Sequence, residues 1–131
     1  MKVWLNGCFD ILHFGHFRLI EFARLLKGKE GKLVIGIDSD KRVKELKGED
    51  RPFNKEGYRL FNLTQIKGVD EVVIFHSEED LEETIKEYSP DLFVIGDEYK
   101  NKKIVGGEYA KEIVYYPKVE GFSTTKILEN E

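Results

Sequence analysis

A chain of 131 residues is long enough to bury a real core, and the expected organisation is a single domain over 1–131. Hydrophobic residues make up 40% and charged residues 35%, which excludes a disordered chain; the net charge of −4 excludes wholesale nucleic-acid binding, so an anionic ligand must be met by a local basic cluster. No apolar run approaches the ~20 residues of a membrane span, the opening MKVWLNG lacks the apolar centre of a signal peptide, and the single cysteine, Cys8, rules out an internal disulfide, so a cytoplasmic location is expected.

In chain order, KVWLN (2–6) reads as a buried first strand. From Gly15 to Leu26 the apolar residues Phe17, Leu19, Ile20, Phe22, Ala23 and Leu26 have helical spacing. After a turn at 27–31, KLVIGID (32–38) is the continuous apolar run of a strand covered on both faces. A short helix is expected from Asp40 to Leu46, then the polar stretch KGEDRPFN (47–54). Asn54 is expected to cap a helix from Lys55 to about Lys67, with Phe17, Phe22, Tyr58 and Phe61 read as packing residues. EVVIF (71–75) is the third strand, Ser77 caps a helix through Tyr88, DLFVIG (91–96) is the fourth strand and EIVYYP (112–117) the fifth. Ser123 is expected to cap a last helix, STTKILEN. Strands alternating with helices predict a Rossmann-like three-layer α/β fold with a five-stranded parallel sheet. Ligands of such sheets bind beyond the carboxyl ends of the strands, where the strand order reverses. Those ends fall at 6–9, 38–40, 75–77, 96–99 and 117–123, where the polar and glycine-rich segments gather.

The first of these segments is NGCFDILHFGH. His13 and His16 stand at a strand-to-helix corner with Gly15 between them, which lets a ligand or backbone come close. A helix start favours phosphate, and imidazoles there add donors for charge developing on phosphoryl oxygens. The bland alternative is a pair of turn histidines; a zinc pair lacks further His or Cys ligands at a sensible spacing. The second segment, KRVKELKGEDRP, carries Lys41, Arg42, Lys44, Lys47 and Arg51 at the expected ligand edge, although a solvated helix is the ordinary reading of such a run. The third, GFSTTKI, sets Gly121, Ser123, Thr124 and Thr125 at a helix start, more hydroxyls than a plain cap needs. GDEY (96–99) alone reads as an acidic turn and the side chains of Cys8 and Trp4 as core, while for Arg59 the residues alone do not choose between an exposed helix arginine and a functional one.

GCFDILHFGH resembles the signature GxFDxxHxGH of the cytidylyltransferase-like nucleotidyltransferases, matching it at Gly7, Phe9, Asp10, His13, Gly15 and His16. The resemblance runs from Val3 to Leu128. It implies an enzyme that joins a nucleoside triphosphate to a phosphate-bearing acceptor and releases pyrophosphate. His13, His16, Lys47 and Arg59 would be catalytic, with the histidines on the triphosphate. Gly7, Cys8, Phe9, Asp10, Gly15, Gly96, Asp97, Gly121, Ser123, Thr124 and Thr125 would line the nucleotide site, and Lys44, Lys47 and Asp10 would meet the acceptor phosphate. Asp10 would lie close to the reacting groups or their metal. Mg²⁺ bridging the pyrophosphate oxygens is the implied cofactor, with no residue assigned as its ligand, and a homodimer is the family expectation. Where family members have Glu-Gln-Arg, this chain has Gly57-Tyr58-Arg59, and Lys118 stands where some carry arginine.

Two branches of the family are close. NGCFDILH, LKGEDRP and IVGGE look like the adenylyltransferase unit that makes ADP-heptose from heptose 1-phosphate. GDEYKNK, VYYPKVEGFSTTKI and the chain length look like glycerol-3-phosphate cytidylyltransferase. The reading leans to a sugar 1-phosphate acceptor with ATP or CTP as donor. A nucleotide-binding module without catalysis is the alternative of another class.

Overall fold

The computed structural model describes residues 1–117. The helix expected at STTKILEN, and with it Gly121, Ser123, Thr124 and Thr125, lies outside the described residues, as does Lys118.

Five strands, β1 (Lys2–Gly7), β2 (Lys32–Asp38), β3 (Glu71–Phe75), β4 (Leu92–Gly96) and β5 (Glu112–Tyr116), form one parallel sheet in the order β3-β2-β1-β4-β5. The helices are α1 (Phe14–Lys27), α2 (Asp40–Lys47), α3 (Glu56–Thr64) and α4 (Glu78–Tyr88). Between β4 and β5 the chain makes only two short 3-10 turns, Asp97–Tyr99 and Gly107–Tyr109. This is the expected Rossmann-like architecture. The order reverses at β1, which pairs with β2 on one side and with β4 on the other.

Alternation along β1 divides the core in two. Val3 and Leu5 face α1 and α3, packing with Ile20, Ala23, Ile35, Ile37 and Leu63. Trp4 points to the other face, against Phe75, Phe93 and the α4 residues Leu81 and Ile85. Gly36 makes room for Trp4, since a Cβ there would meet the indole at 2.6 Å. Burying each such side chain contributes about 1.5–3 kcal/mol.

Three local expectations are corrected. Asn54 does not cap α3: Lys55 holds that position without a side-chain bond, and the Asn54 side chain turns to Asp10 instead, its Nδ2 donating to the Asp10 carbonyl at 2.8 Å. α3 ends at Thr64, short of Lys67, in a turn that carries Gly68 at φ +91°. Tyr58 and Phe61 are 69% and 60% exposed, and Phe17 is 46% exposed, so these aromatics are not core; Phe22 does pack, against Tyr116. α3 buries its Arg59 and Leu63 side instead. Ser77 caps α4 as expected, and Ser39, unremarked in the sequence, caps α2.

Candidate active site

The corner after β1 is shaped by crowding. Phe9 is buried and takes a left-handed backbone, φ 50°, a conformation that costs a residue with a Cβ about 1–3 kcal/mol. Gly7 accommodates it: a Cβ at Gly7 would sit 3.1 Å from the Phe9 ring. Gly7 and Phe9 thus shape the corner through packing. The Phe9 ring lies 5.1 Å from that of His16.

His13 is the N-cap of α1. Its Nδ1 accepts the Gly15 N–H at 3.1 Å, and His16 Nδ1 accepts the His13 N–H at 3.3 Å. The two imidazoles stack, with centroids 3.8 Å apart and planes 21° from parallel. A ring nitrogen that accepts a hydrogen bond carries no proton, so both rings hold theirs on Nε2. Burial, and then the charges of His13 and Lys47, push the His16 pKa down to about 3 against a weaker opposing bond from the Ile11 main chain. At neutral pH His16 is an uncharged N–H donor. The Gly15 N–H is spent on His13, so that amide is already occupied at this helix start.

The second crossover brings the cations. Ser39 Oγ accepts the Arg42 N–H and starts α2; Gly48, at φ +106°, ends it directly after Lys47. Lys47 is exposed, and its charge acts on both His16 and Cys8. Burial pushes the Cys8 thiol up despite Lys47 and Arg59, so it is a neutral thiol rather than a nucleophile. Lys44 turns back to the carbonyls of Glu49 and Arg51, at 3.4 and 3.3 Å, and is occupied by its own loop.

Asp10 and Arg59 are placed differently from expectation. The Asp10 side chain has no exposed surface. Its carboxylate accepts the N–H groups of Phe53 and Asn54 at 2.7 and 2.6 Å, and Arg51 Nε stands 3.6 Å away. Arg59 is fully buried. Its guanidinium donates to the carbonyls of Asn54, Cys8 and Asp38, at 2.9, 3.0 and 2.7 Å, and to Asp40 Oδ1 at 2.7 Å. The start of α3 runs under the ends of β1 and β2, so the fork spans backbone rather than reaching outward. Asp40 and Glu56 complete the junction, each carboxylate accepting the other's N–H at 2.8 Å. Arg51 keeps Nε and Nη2 buried without hydrogen-bond partners.

Across the switch point, the turn Asp97–Tyr99 follows β4, the neighbour of β1, which sets Gly96 and Asp97 on the other side of the corner from Lys47. Glu98 folds its carboxylate over Gly96, so a side chain there would have to displace it. Among the described residues no group of three or more His, Cys, Asp or Glu is arranged to hold a metal, and the Asp10 oxygens are taken, so these residues do not build a resident Mg²⁺ site. No helix among them is long and apolar enough to cross a membrane.

The structure thus gathers Gly7, Cys8, Phe9, Asp10, His13, Gly15, His16 and Lys47 at the switch point, and sets Lys44 and Arg59 to structural contacts. Sequence reasoning missed Asp40, Asn54 and Glu56, and it left Arg51 in a basic run without a partner. Their contacts reach 16 to 44 residues along the chain, and no spacing rule announces them.

The Cytidylyltransferase-like family profile matches residues 4–130. Among curated proteins, the Bifunctional protein HldE of Nitratiruptor sp. is 47% identical over 128 residues, 97% of this chain and 27% of that protein. That of Campylobacter fetus is 44% identical over 126 residues, 96% of this chain and 27% of that protein. The chain therefore spans about a quarter of the length of these relatives. Among solved structures, a lipopolysaccharide core biosynthesis protein from Thermoplasma volcanium superposes with a TM-score of 0.72 at 26% identity, covering 92% of this chain and 98% of that one. A protein of unknown function from Archaeoglobus fulgidus shares the fold, with a TM-score of 0.64 at 22% identity, over 96% of each chain. With the whole signature present at the corner after β1 and the profile covering nearly every residue, the chain belongs to the cytidylyltransferase-like family and is a nucleotidyltransferase.

Proposed function

We propose that the chain transfers a nucleoside monophosphate from ATP or CTP to a phosphorylated sugar or polyol. An oxygen of the acceptor phosphate, already ionised at neutral pH, attacks the α-phosphorus in line. The bond from that phosphorus to the bridging oxygen breaks, and pyrophosphate leaves with the electron pair. No covalent enzyme intermediate is needed. The observation that carries this reading is the stacked His13–His16 pair: both Nδ1 atoms are tied to the main chain, which fixes the tautomer, and His16 stays uncharged beside the cation of Lys47. Preset donors of this kind stabilise charge as it develops on phosphoryl oxygens without reorganising during the step. Lys47 supplies a compact charge to bring two anionic substrates together. A Mg²⁺ ion carried by the triphosphate would neutralise part of its charge, with no described residue assigned as its ligand.

For the acceptor, the reading favours a sugar 1-phosphate, in a heptose 1-phosphate adenylyltransferase role serving glycan synthesis. The HldE relatives and the lipopolysaccharide core biosynthesis protein from Thermoplasma volcanium support it. The GDEYKNK segment keeps glycerol-3-phosphate cytidylyl transfer as the second reading. A homodimer in the cytoplasm belongs to the same proposal, and sedimentation tests the dimer. The deciding experiment supplies ATP or CTP with either heptose 1-phosphate or glycerol 3-phosphate and measures pyrophosphate. ATP with heptose 1-phosphate is expected to give the highest kcat/KM. A preference for CTP with glycerol 3-phosphate overturns the acceptor choice; no pyrophosphate from any pair overturns the reaction.

A further inference from the structure

The geometry points to Asp10 as a positioning residue: a carboxylate that touches no substrate, latches the Arg51-bearing loop 48–54 against the histidine corner, and thereby governs binding of the phosphorylated acceptor. The inference rests on the nucleotidyl-transfer reading above.

Access argues first. A carboxylate serving a metal or a phosphate-bound ion needs an open oxygen, and the Asp10 side chain has no exposed surface. Its oxygens are committed to the loop. One accepts the Phe53 N–H at 2.7 Å, the other the Asn54 N–H at 2.6 Å, short bonds of the charge-assisted kind. The contact is reciprocated, since Asn54 Nδ2 donates to the Asp10 carbonyl at 2.8 Å. The same carboxylate holds Arg51 at 3.6 Å, by charge rather than by a hydrogen bond. The loop follows Lys47, whose charge already reaches His16, and begins at Gly48, whose carbonyl accepts the Arg51 N–H at 3.1 Å. Asp10 itself is three residues before His13. Asp10 therefore joins the first crossover, which carries the imidazoles, to the loop that follows Lys47 and carries Arg51, beside the Arg59 fork that ties Cys8 to Asn54 from below. The histidines keep their own anchors, the Gly15 and His13 N–H groups, and do not depend on the latch.

Asp10→Asn is nearly isosteric but faces an NH₂ toward one of the two loop N–H groups, leaving both donors unpaired. Two readouts test the latch. In the acceptor-free protein, exchange protection of the Phe53 and Asn54 amides is expected to fall in Asp10→Asn, whatever reaction the protein performs. In turnover, KM for the acceptor is expected to rise about ten- to a hundredfold, the loss of one charged hydrogen bond, while KM for the triphosphate changes less than about twofold. Asn54→Ala, which breaks the loop side and leaves the carboxylate intact, is expected to move the same two readouts in the same direction by less; it decides the matter if Asp10→Asn fails to fold. A rise confined to the triphosphate KM, or unchanged amide protection in both variants, overturns the latch. Failure of the wild-type chain to release pyrophosphate with any acceptor instead overturns the reaction, and the amide protection still reports on the latch.

Discussion

The two edges of the sheet use the same device to different ends. At the amino edge, carboxylates close off the strand starts. Asp91 accepts the Lys2 N–H at 2.7 Å, and Asp70 accepts the Leu33 N–H at 2.8 Å and the Lys27 ammonium at 2.7 Å. The Tyr88 hydroxyl bridges the carbonyls of Val3 and Lys32. Each bond there holds one element to its neighbour, and the Asp91 and Asp70 carboxylates each pair with a lysine as well as a main-chain N–H. At the carboxyl edge, Asp10 likewise accepts backbone N–H groups, but these bonds run from one crossover to another. Beside them Lys47 stays exposed, Arg51 keeps buried donors without hydrogen-bond partners, and the two imidazoles are tied to their own main chain. The first edge ties neighbouring elements; the second ties one crossover to another.

Breaking the junction at the carboxyl edge is expected to have the largest effect. Arg59→Ala removes a buried guanidinium and strands Asp40 and three carbonyls, a loss of about 3–5 kcal/mol in unfolding free energy measured by denaturant titration. A loss below about 1 kcal/mol would mean the guanidinium is not the tie described here. Next, His16→Ala is expected to lower kcat by about 10²–10³-fold at near-wild-type stability, the effect of losing one preset donor.

A pH series separates the edges further. The native His16 ring resists protonation down to about 3, whereas the unfolded ring takes a proton near 6.5. Its contribution to stability is therefore complete above 6.5 and is lost as pH falls from there toward 3. Melting temperature should decline below pH 6.5, His16→Gln should flatten that decline, and kcat should show no acid limb near 6.5 arising from His16. At the amino edge the lysine partner holds the Asp70 carboxyl below its ordinary 3.8, so its contribution is present above 3.8 and fades only as pH falls through the lowered value. The smallest effect is expected there: Asp70→Asn should cost about 1 kcal/mol of stability and leave turnover unchanged. A turnover loss in Asp70→Asn would show that the edges are coupled.

The fold was largely legible because its signals are periodic. KLVIGID and EVVIF are continuous apolar runs, and Ser77 stands at a helix start with its acids behind it. The histidine corner was legible because its residues fall within ten positions. The rest was hidden for reasons of geometry. Nothing local says that Asn54 turns to Asp10 and leaves the cap position of α3 to Lys55, or that Arg59 lies under two strand ends. Tyr58 and Phe61 have helical spacing, yet spacing gives only a face, and α3 turns that face outward.

The central claim is that the imidazole corner and Lys47 make one triphosphate open to displacement at its α-phosphorus. Pyrophosphate release by the wild-type chain and by His16→Ala, with ATP or CTP and each phosphorylated acceptor, tests it most directly. One pyrophosphate per acceptor consumed, with the variant slower by at least about a hundredfold, is the predicted result. Equal rates in the two proteins, or none in the wild type, would contradict it.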